Sequence, residues 1–282
     1  MMPPSQGPPT GSEREPAGAW VDQHADAAVG FFVQVRRDAD GLARLMRGLR
    51  RAYRDSPVTV VSDGDDRRVW RRLARRYGFT YRAGEYLYGV ESGGAVLDRQ
   101  FELMLATPAR WLVKLDADSR VHRRFRKLPV ETGLYCTPEW EVQGEALDPP
   151  CPQGGCHLFT RDAAERIHAS GLMRDDRLRD YAATYADNAS ARYRAQQWGQ
   201  VSRDFLTRYA CRELGVPIYD FHECHCLATS DLDLTGRDVA VSHPHKTLRM
   251  KLKKLRRPGG LKIAARALRR DAGRACLRLA GR

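Results

Sequence analysis

The 282-residue chain is 42% hydrophobic, enough to bury a sizeable core in one large domain. It carries 48 Lys and Arg against 35 Asp and Glu, a net charge of +13, yet residues 246–282 alone hold 14 basic side chains beside one acid, Asp271. The other 245 residues balance at 34 of each sign, which argues against a nucleic-acid-binding face on the body of the protein, and no nucleic-acid partner is expected.

No apolar run approaches the ~20 residues that cross a bilayer. The first residues also lack the basic-then-apolar pattern of a secretion signal, so the expected address is cytoplasmic. Residues 1–28 hold five prolines with scattered Gly and Ser, a composition that cannot offset the entropy of ordering, and disorder is expected there.

From Val29 the texture changes to short apolar runs alternating with segments of helical period, the pattern of βαβ units and a mainly parallel sheet. Val29 to Val35 reads as the first strand, followed by a helix through Leu42, Leu45, Met46 and Leu49. Pro57 to Val61 is the second strand and runs into Ser62-Asp63-Gly64-Asp65-Asp66. A helix through Val69, Trp70, Leu73 and Tyr77 stops at Gly78, and a short strand lies near Phe79 to Tyr81. Ala95 to Leu105 is helical, and the strand Trp111 to Leu115 delivers Asp116-Ala117-Asp118 at its carboxyl end. Strands follow at Leu134 to Pro138, Cys156 to Thr160 and Val216 to Phe221, with helices at Asp162 to Ala169 and Phe205 to Leu214.

Ligands of open α/β sheets bind beyond the carboxyl ends of the strands, where both acidic loops should open. Alternate residues of an extended segment share a face, so Asp116 and Asp118 are expected to point together and to hold one hard cation, Mn²⁺ or Mg²⁺, through oxygen. Such a cation offsets the charge that develops on a departing diphosphate.

The run from Val29 to Val121 resembles the nucleotide-binding half of GT-A glycosyltransferases, family 2 above all. The corresponding pieces are Val60-Val61-Ser62-Asp63-Gly64-Asp65-Asp66 and Leu115-Asp116-Ala117-Asp118, with Ser62 where the family usually has an acid. The resemblance implies a GT-A, Rossmann-like domain over residues 29–245, with 29–121 its nucleotide-binding half and 122–245 its acceptor half. It also implies a nucleotide-sugar donor, taken as a uridine diphosphate sugar, and a glycan, lipid-linked or small-molecule acceptor, with inversion as the default.

By the same resemblance Asp63 faces the base, with Asp65 beside it a candidate for binding the nucleotide, Asp116 faces the ribose or metal, and Asp118 the metal. Val35 and Arg36 end the first strand beside the nucleotide, and Arg99 is the candidate for the diphosphate. Gly154 and Gly155 permit close approach of backbone to a ligand, and Trp198 is placed to stack on a sugar. Asp204, behind the potential helix cap Ser202, is the candidate base, in a pair that reads Arg203-Asp204 where the family has Glu-Asp. His243, with His245 next, is the candidate third metal ligand.

Two further features stand beside the site. Cys151, Cys156 and the run His222-Glu223-Cys224-His225-Cys226 could supply soft ligands to a zinc ion or remain buried thiols. Residues 246–282 repeat Leu and Ala at near-helical spacing among basic side chains, so a basic amphipathic tail suits an anionic membrane surface and peripheral attachment. A sugar-phosphate nucleotidyltransferase is the alternative enzyme, but no glycine-rich loop follows the first strand. A nucleic-acid-binding protein would be explained by the tail alone.

Overall fold

The computed structural model describes residues 19–22, 25–36, 38–63, 67–84, 93–142, 144–175, 178, 181–199, 202–226 and 239–243. In chain order the elements are β1 (Trp20–Val21), β2 (Val29–Val35), α1 (Ala39–Ala52), β3 (Val58–Asp63), α2 (Arg67–Tyr77), β4 (Thr80–Gly84) and α3 (Gly93–Leu105). Then come β5 (Trp111–Asp116), β6 (Arg120–Val121), β7 (Leu128–Pro129), β8 (Leu134–Cys136), β9 (Pro138–Val142), β10 (Glu145–Pro152), β11 (Cys156–Thr160) and α4 (Arg161–Ala169). The last elements among the described residues are α5 (Tyr181–Thr184), α6 (Ala189–Trp198), α7 (Arg203–Glu213), β12 (Ile218–Asp220), β13 (Cys224–Cys226) and β14 (Val241–His243).

Seven strands form the central sheet in the order β12-β8-β11-β5-β2-β3-β4. All neighbours run parallel except β11, which is antiparallel to both β5 and β8. This is the mainly parallel, Rossmann-like arrangement of the GT-A fold expected from the sequence. A smaller sheet, β13-β14-β6, stands beside it and carries His243 at the end of β14.

Both faces of the sheet are covered, which explains why β2 reads as a nearly unbroken apolar run and why every residue of β3 is buried. Phe31, Val33 and Val35 pack with Leu42, Leu45, Met46 and Leu49 of α1 and Trp70 of α2. Phe32 and Val61 point the other way, into a core built from Leu97 and Phe101 of α3, Ile167 of α4 and Leu206 of α7. Burying one such side chain contributes about 1.5–3 kcal/mol, so the helices are held mainly by their apolar stripes. Arg50 of α1 donates to the carbonyls of Tyr77 at 2.8 Å and Gly78 at 2.7 Å, acceptors left open where α2 ends, and to that of Ser56 at 2.8 Å before β3.

The structure changes two expectations of the sequence. Among the described residues, ordered packing already includes Trp20, ahead of Val29: β1 pairs with β7, and the Trp20 ring stacks on Phe221 at 6.0 Å between centroids. Ser202 does sit at the N-cap of α7, but its side chain makes no capping bond; its N–H is taken by the Tyr185 hydroxyl at 2.8 Å. The basic tail, 246–282, lies outside the described residues. Among the described residues no helix is long and apolar enough to cross a membrane.

Candidate active site

The polar residues of the site come from one face of the sheet at its carboxyl edge. On β5 the side chains of Lys114 and Asp116 alternate with the buried Val113 and Leu115, and β2 sets Gln34 in register with Asp116. Antiparallel β11 places His157 opposite Lys114. Over this edge α7 brings Arg203 and Asp204 in its first turn. Arg208, fully buried one turn later, anchors that helix through a two-pronged ion pair with Asp187 and a bond to the Pro149 carbonyl at 2.6 Å.

Asp116, Asp118 and His243 bring one ligand atom each to within 4.8 Å of one another. The His243 Nε2 lies 3.2 Å from Asp116 Oδ2 and 3.1 Å from Asp118 Oδ1. They form the one group of three potential metal donors among the described residues, and a soft-ligand site at the cysteines is not among those groups. Alternation along a strand is not what aligns the two acids. The strand ends at Asp116, Ala117-Asp118 turns, and the Ser119 N–H closes the turn on the Asp116 carbonyl at 3.0 Å.

The glycine pair is part of this geometry. A Cβ on Gly155 would overlap the His243 side chain at its Cβ and Cγ, and one on Gly154 would stand 2.9 Å from an Asp204 oxygen. The Gly155 carbonyl accepts from Ser119 Oγ at 2.9 Å, tying the loop to the turn that carries Asp118. Side chains at either glycine would therefore push the histidine and the acid out of place.

Lys114 compensates part of the negative charge. Its Nζ reaches Asp116 Oδ1 at 2.7 Å and also donates to the Gly154 carbonyl. Burial opposes its charge, but Asp116 and then Asp204 hold its pKa above the ordinary lysine value. Burial likewise disfavours the Asp116 carboxylate, yet Lys114 and His243 outweigh it and keep that group well below the usual carboxylate range. Asp204 has the opposite balance: burial, with Asp116 adding to it, lifts its pKa to about 6 against the pull of Lys114, His243 and Arg203. Burial followed by the Lys114 charge pushes His157 down to about 3, so it is neutral, with its Nε2 3.0 Å from the Gln153 carbonyl.

A second cluster lies along the same edge. Asp63 is buried at the end of β3, where Gln34 Nε2 donates to both its oxygens at 2.7 and 3.0 Å. Arg99 approaches Asp63 Oδ1 to 3.6 Å, and Arg203 donates to the Gln34 Oε1. Val35 is buried and Arg36 exposed at the end of β2. Asp65 and His245 lie outside the described residues, and Trp198 is the last residue of α6.

Of the residues singled out by sequence, Asp116, Asp118, Gly154, Gly155, Asp204 and His243 meet at one point, while Asp63 and Arg99 meet at the neighbouring cluster. Lys114, Gln34 and His157 were not singled out. Each is a polar residue inside an otherwise apolar strand, and that interruption is the signal by which it could have been found.

No known protein family matches the sequence, and no curated protein does. Among solved structures, the galactosyltransferase LgtC in complex with donor and acceptor sugar analogs is similar at a TM-score of 0.46 and 12% identity, over 84% of this chain and 95% of that one. An active-site mutant of LgtC gives 0.45 and 13%, over 84% and 94%. The glycosyltransferase GlyE of Streptococcus pneumoniae gives 0.48 and 8%, over 78% of this chain and 55% of that one.

Proposed function

We propose that the chain is a metal-dependent glycosyltransferase that moves a sugar from a nucleotide diphosphate, taken as uridine diphosphate, to a hydroxyl acceptor. The observation that carries this reading is the meeting of Asp116, Asp118 and His243 within 4.8 Å, beside an acid whose pKa is lifted to about 6. Two carboxylates and an imidazole suit Mn²⁺ or Mg²⁺, with the nitrogen ligand favouring Mn²⁺. When bound, the cation supplies positive charge to the leaving diphosphate.

The protein's own groups do the rest. Asp204 accepts the proton of the acceptor hydroxyl as its oxygen bonds to the anomeric carbon and the bond to the diphosphate breaks, which inverts that carbon. A base with a pKa near 6 is ionised at neutral pH and still basic enough to take a proton in the transition state. Lys114 fixes the Asp116 carboxylate and the Gly154 carbonyl in one arrangement, while the glycines leave room for His243 and Asp204. Asp63, with Arg99 beside it, offers a buried carboxylate at the corner where the resemblance puts the base, and Trp198 is assigned to the sugar. The acceptor is a glycan, a lipid-linked sugar or a small molecule, and residues 246–282 are assigned to an anionic membrane surface at the cytoplasmic face.

Thermal shift with uridine diphosphate sugars, with and without Mn²⁺, tests the reading. The expected result is a shift that needs both donor and Mn²⁺ and disappears in Asp118→Ala, while that variant still unfolds cooperatively. Equal shifts with and without the cation, or an unchanged shift in the variant, would overturn it.

A further inference from the structure

Cys156 opens β11 directly behind Gly154-Gly155, in register with Leu115, the residue before Asp116. Cys224 opens β13, in register with Val241, two residues before His243 on β14. The two strands belong to different sheets, one carrying the acids and the other the histidine. Between them the Cys224 thiol points at Cys156, Sγ to Sγ at 2.7 Å, and both side chains are buried. Unbonded sulfurs do not normally sit so close, and a disulfide needs only a further approach to about 2.0 Å.

We propose that Cys156 and Cys224 are a redox-active pair that forms a disulfide, clamping the histidine-bearing sheet to the acid-bearing one. The oxidant is a peroxide, small enough to reach a buried pair; burial pushes the Cys224 thiol well up, so the reaction depends on a thiolate fraction that grows as pH rises. One thiolate attacks the peroxide, breaking its O–O bond, taking one oxygen as a sulfenic acid and releasing water after protonation. The second thiol then attacks that sulfur, the S–S bond forms, and the sulfenic oxygen leaves as water. Two thiols and one hydrogen peroxide thus give one disulfide and two waters. A thiol donor reverses the step by exchange. The link would close the 68-residue separation between the two cysteines and remove the freedom of β14 to drift from β5.

The test is made on the full chain, without added metal. After hydrogen peroxide treatment, denaturing alkylation and digestion, mass spectrometry is expected to find one peptide pair joined through Cys156 and Cys224. That pair should disappear with dithiothreitol and be absent in Cys224→Ser or, if that variant is unstable, Cys156→Ser. Amide exchange over residues 239–243 should slow about tenfold on oxidation. Both cysteines recovered as free thiols or as sulfinic acids, or a link with unchanged exchange, would overturn the proposal. Its bearing on the cation rests on the metal reading above, so Mn²⁺ titration of both redox forms is done separately. Absence of Mn²⁺ binding in both would count against that reading and leave the cysteine result standing.

Discussion

The two polar clusters on the carboxyl edge of the sheet are built from similar groups but are balanced differently. Around Asp63 one carboxylate has an amide on both oxygens and a guanidinium nearby, and the amide oxygen is itself taken by Arg203. Around Asp116 the acids Asp118 and Asp204 meet Lys114 and His243, with Arg203 also acting on Asp204, and Asp204 is driven toward protonation. The first cluster is satisfied as it stands. In the second, burial and a neighbouring carboxylate press on Asp204 against the pull of Lys114, His243 and Arg203, and a cation held by Asp116, Asp118 and His243 would relieve that pressure.

The largest effect that would sharpen this contrast is chemical. Asp204→Asn keeps the shape of the side chain and removes the base, so transfer should fall by about 10²–10⁴ while Mn²⁺-dependent donor binding persists. Single-turnover rates and donor titration separate the two. A variant with undiminished transfer would show that the proton goes elsewhere.

The same residue should report the imbalance through stability. A carboxyl whose folded pKa is raised to about 6 is protonated more readily in the folded chain than in the unfolded one. Its contribution is therefore neutral well below pH 4 and becomes a penalty as pH rises, saturating above about pH 6. Removing the charge should stabilise the metal-free protein by about 1–3 kcal/mol at pH 8, with the gain falling below about 1 kcal/mol near pH 4. Denaturant melts of wild type and Asp204→Asn at both pH values measure it. A gain independent of pH would mean that the acid is not strained by its neighbours.

Much of the acid-bearing half was legible because its elements follow one another with clear periods. Val29–Val35 and Cys156–Thr160 have the bounds expected, and the acids stand at the end of β5 because an apolar run stops there. The convergence of Asp118 with Asp116 was expected for another reason, since it comes from a turn and not from strand alternation. Harder to read was everything that depends on contacts distant in sequence. His243 reaches Asp116 because β14 pairs with β6 and β13, a register no local pattern encodes. Gly155 looks like a turn glycine until the histidine ring is set against it. Lys114 and Gln34 were hidden because a strand that is mostly apolar reads as core, although a lone polar residue in such a run must find a partner.

Gln34 offers the smaller test, aimed at the satisfied cluster. Its amide group donates to Asp63 and accepts from Arg203, so Gln34→Leu takes two hydrogen bonds from a buried carboxylate that Arg99 approaches and deprives Arg203 of that acceptor. The expected cost is about 1–2 kcal/mol in denaturant unfolding, the scale of a buried polar group left without its bond. Because Arg203 acts through the amide, Arg203→Leu should cost less in the Gln34→Leu background than in wild type. A double-mutant cycle should give a coupling of about 0.5–1 kcal/mol. In Gln34→Leu the donor KM should rise with kcat nearly unchanged, whereas Arg203→Leu should also lower kcat because Arg203 acts on Asp204. Strict additivity would mean that the two clusters are not joined through Gln34, and that Arg203 owes its place to the acids around Asp204 instead.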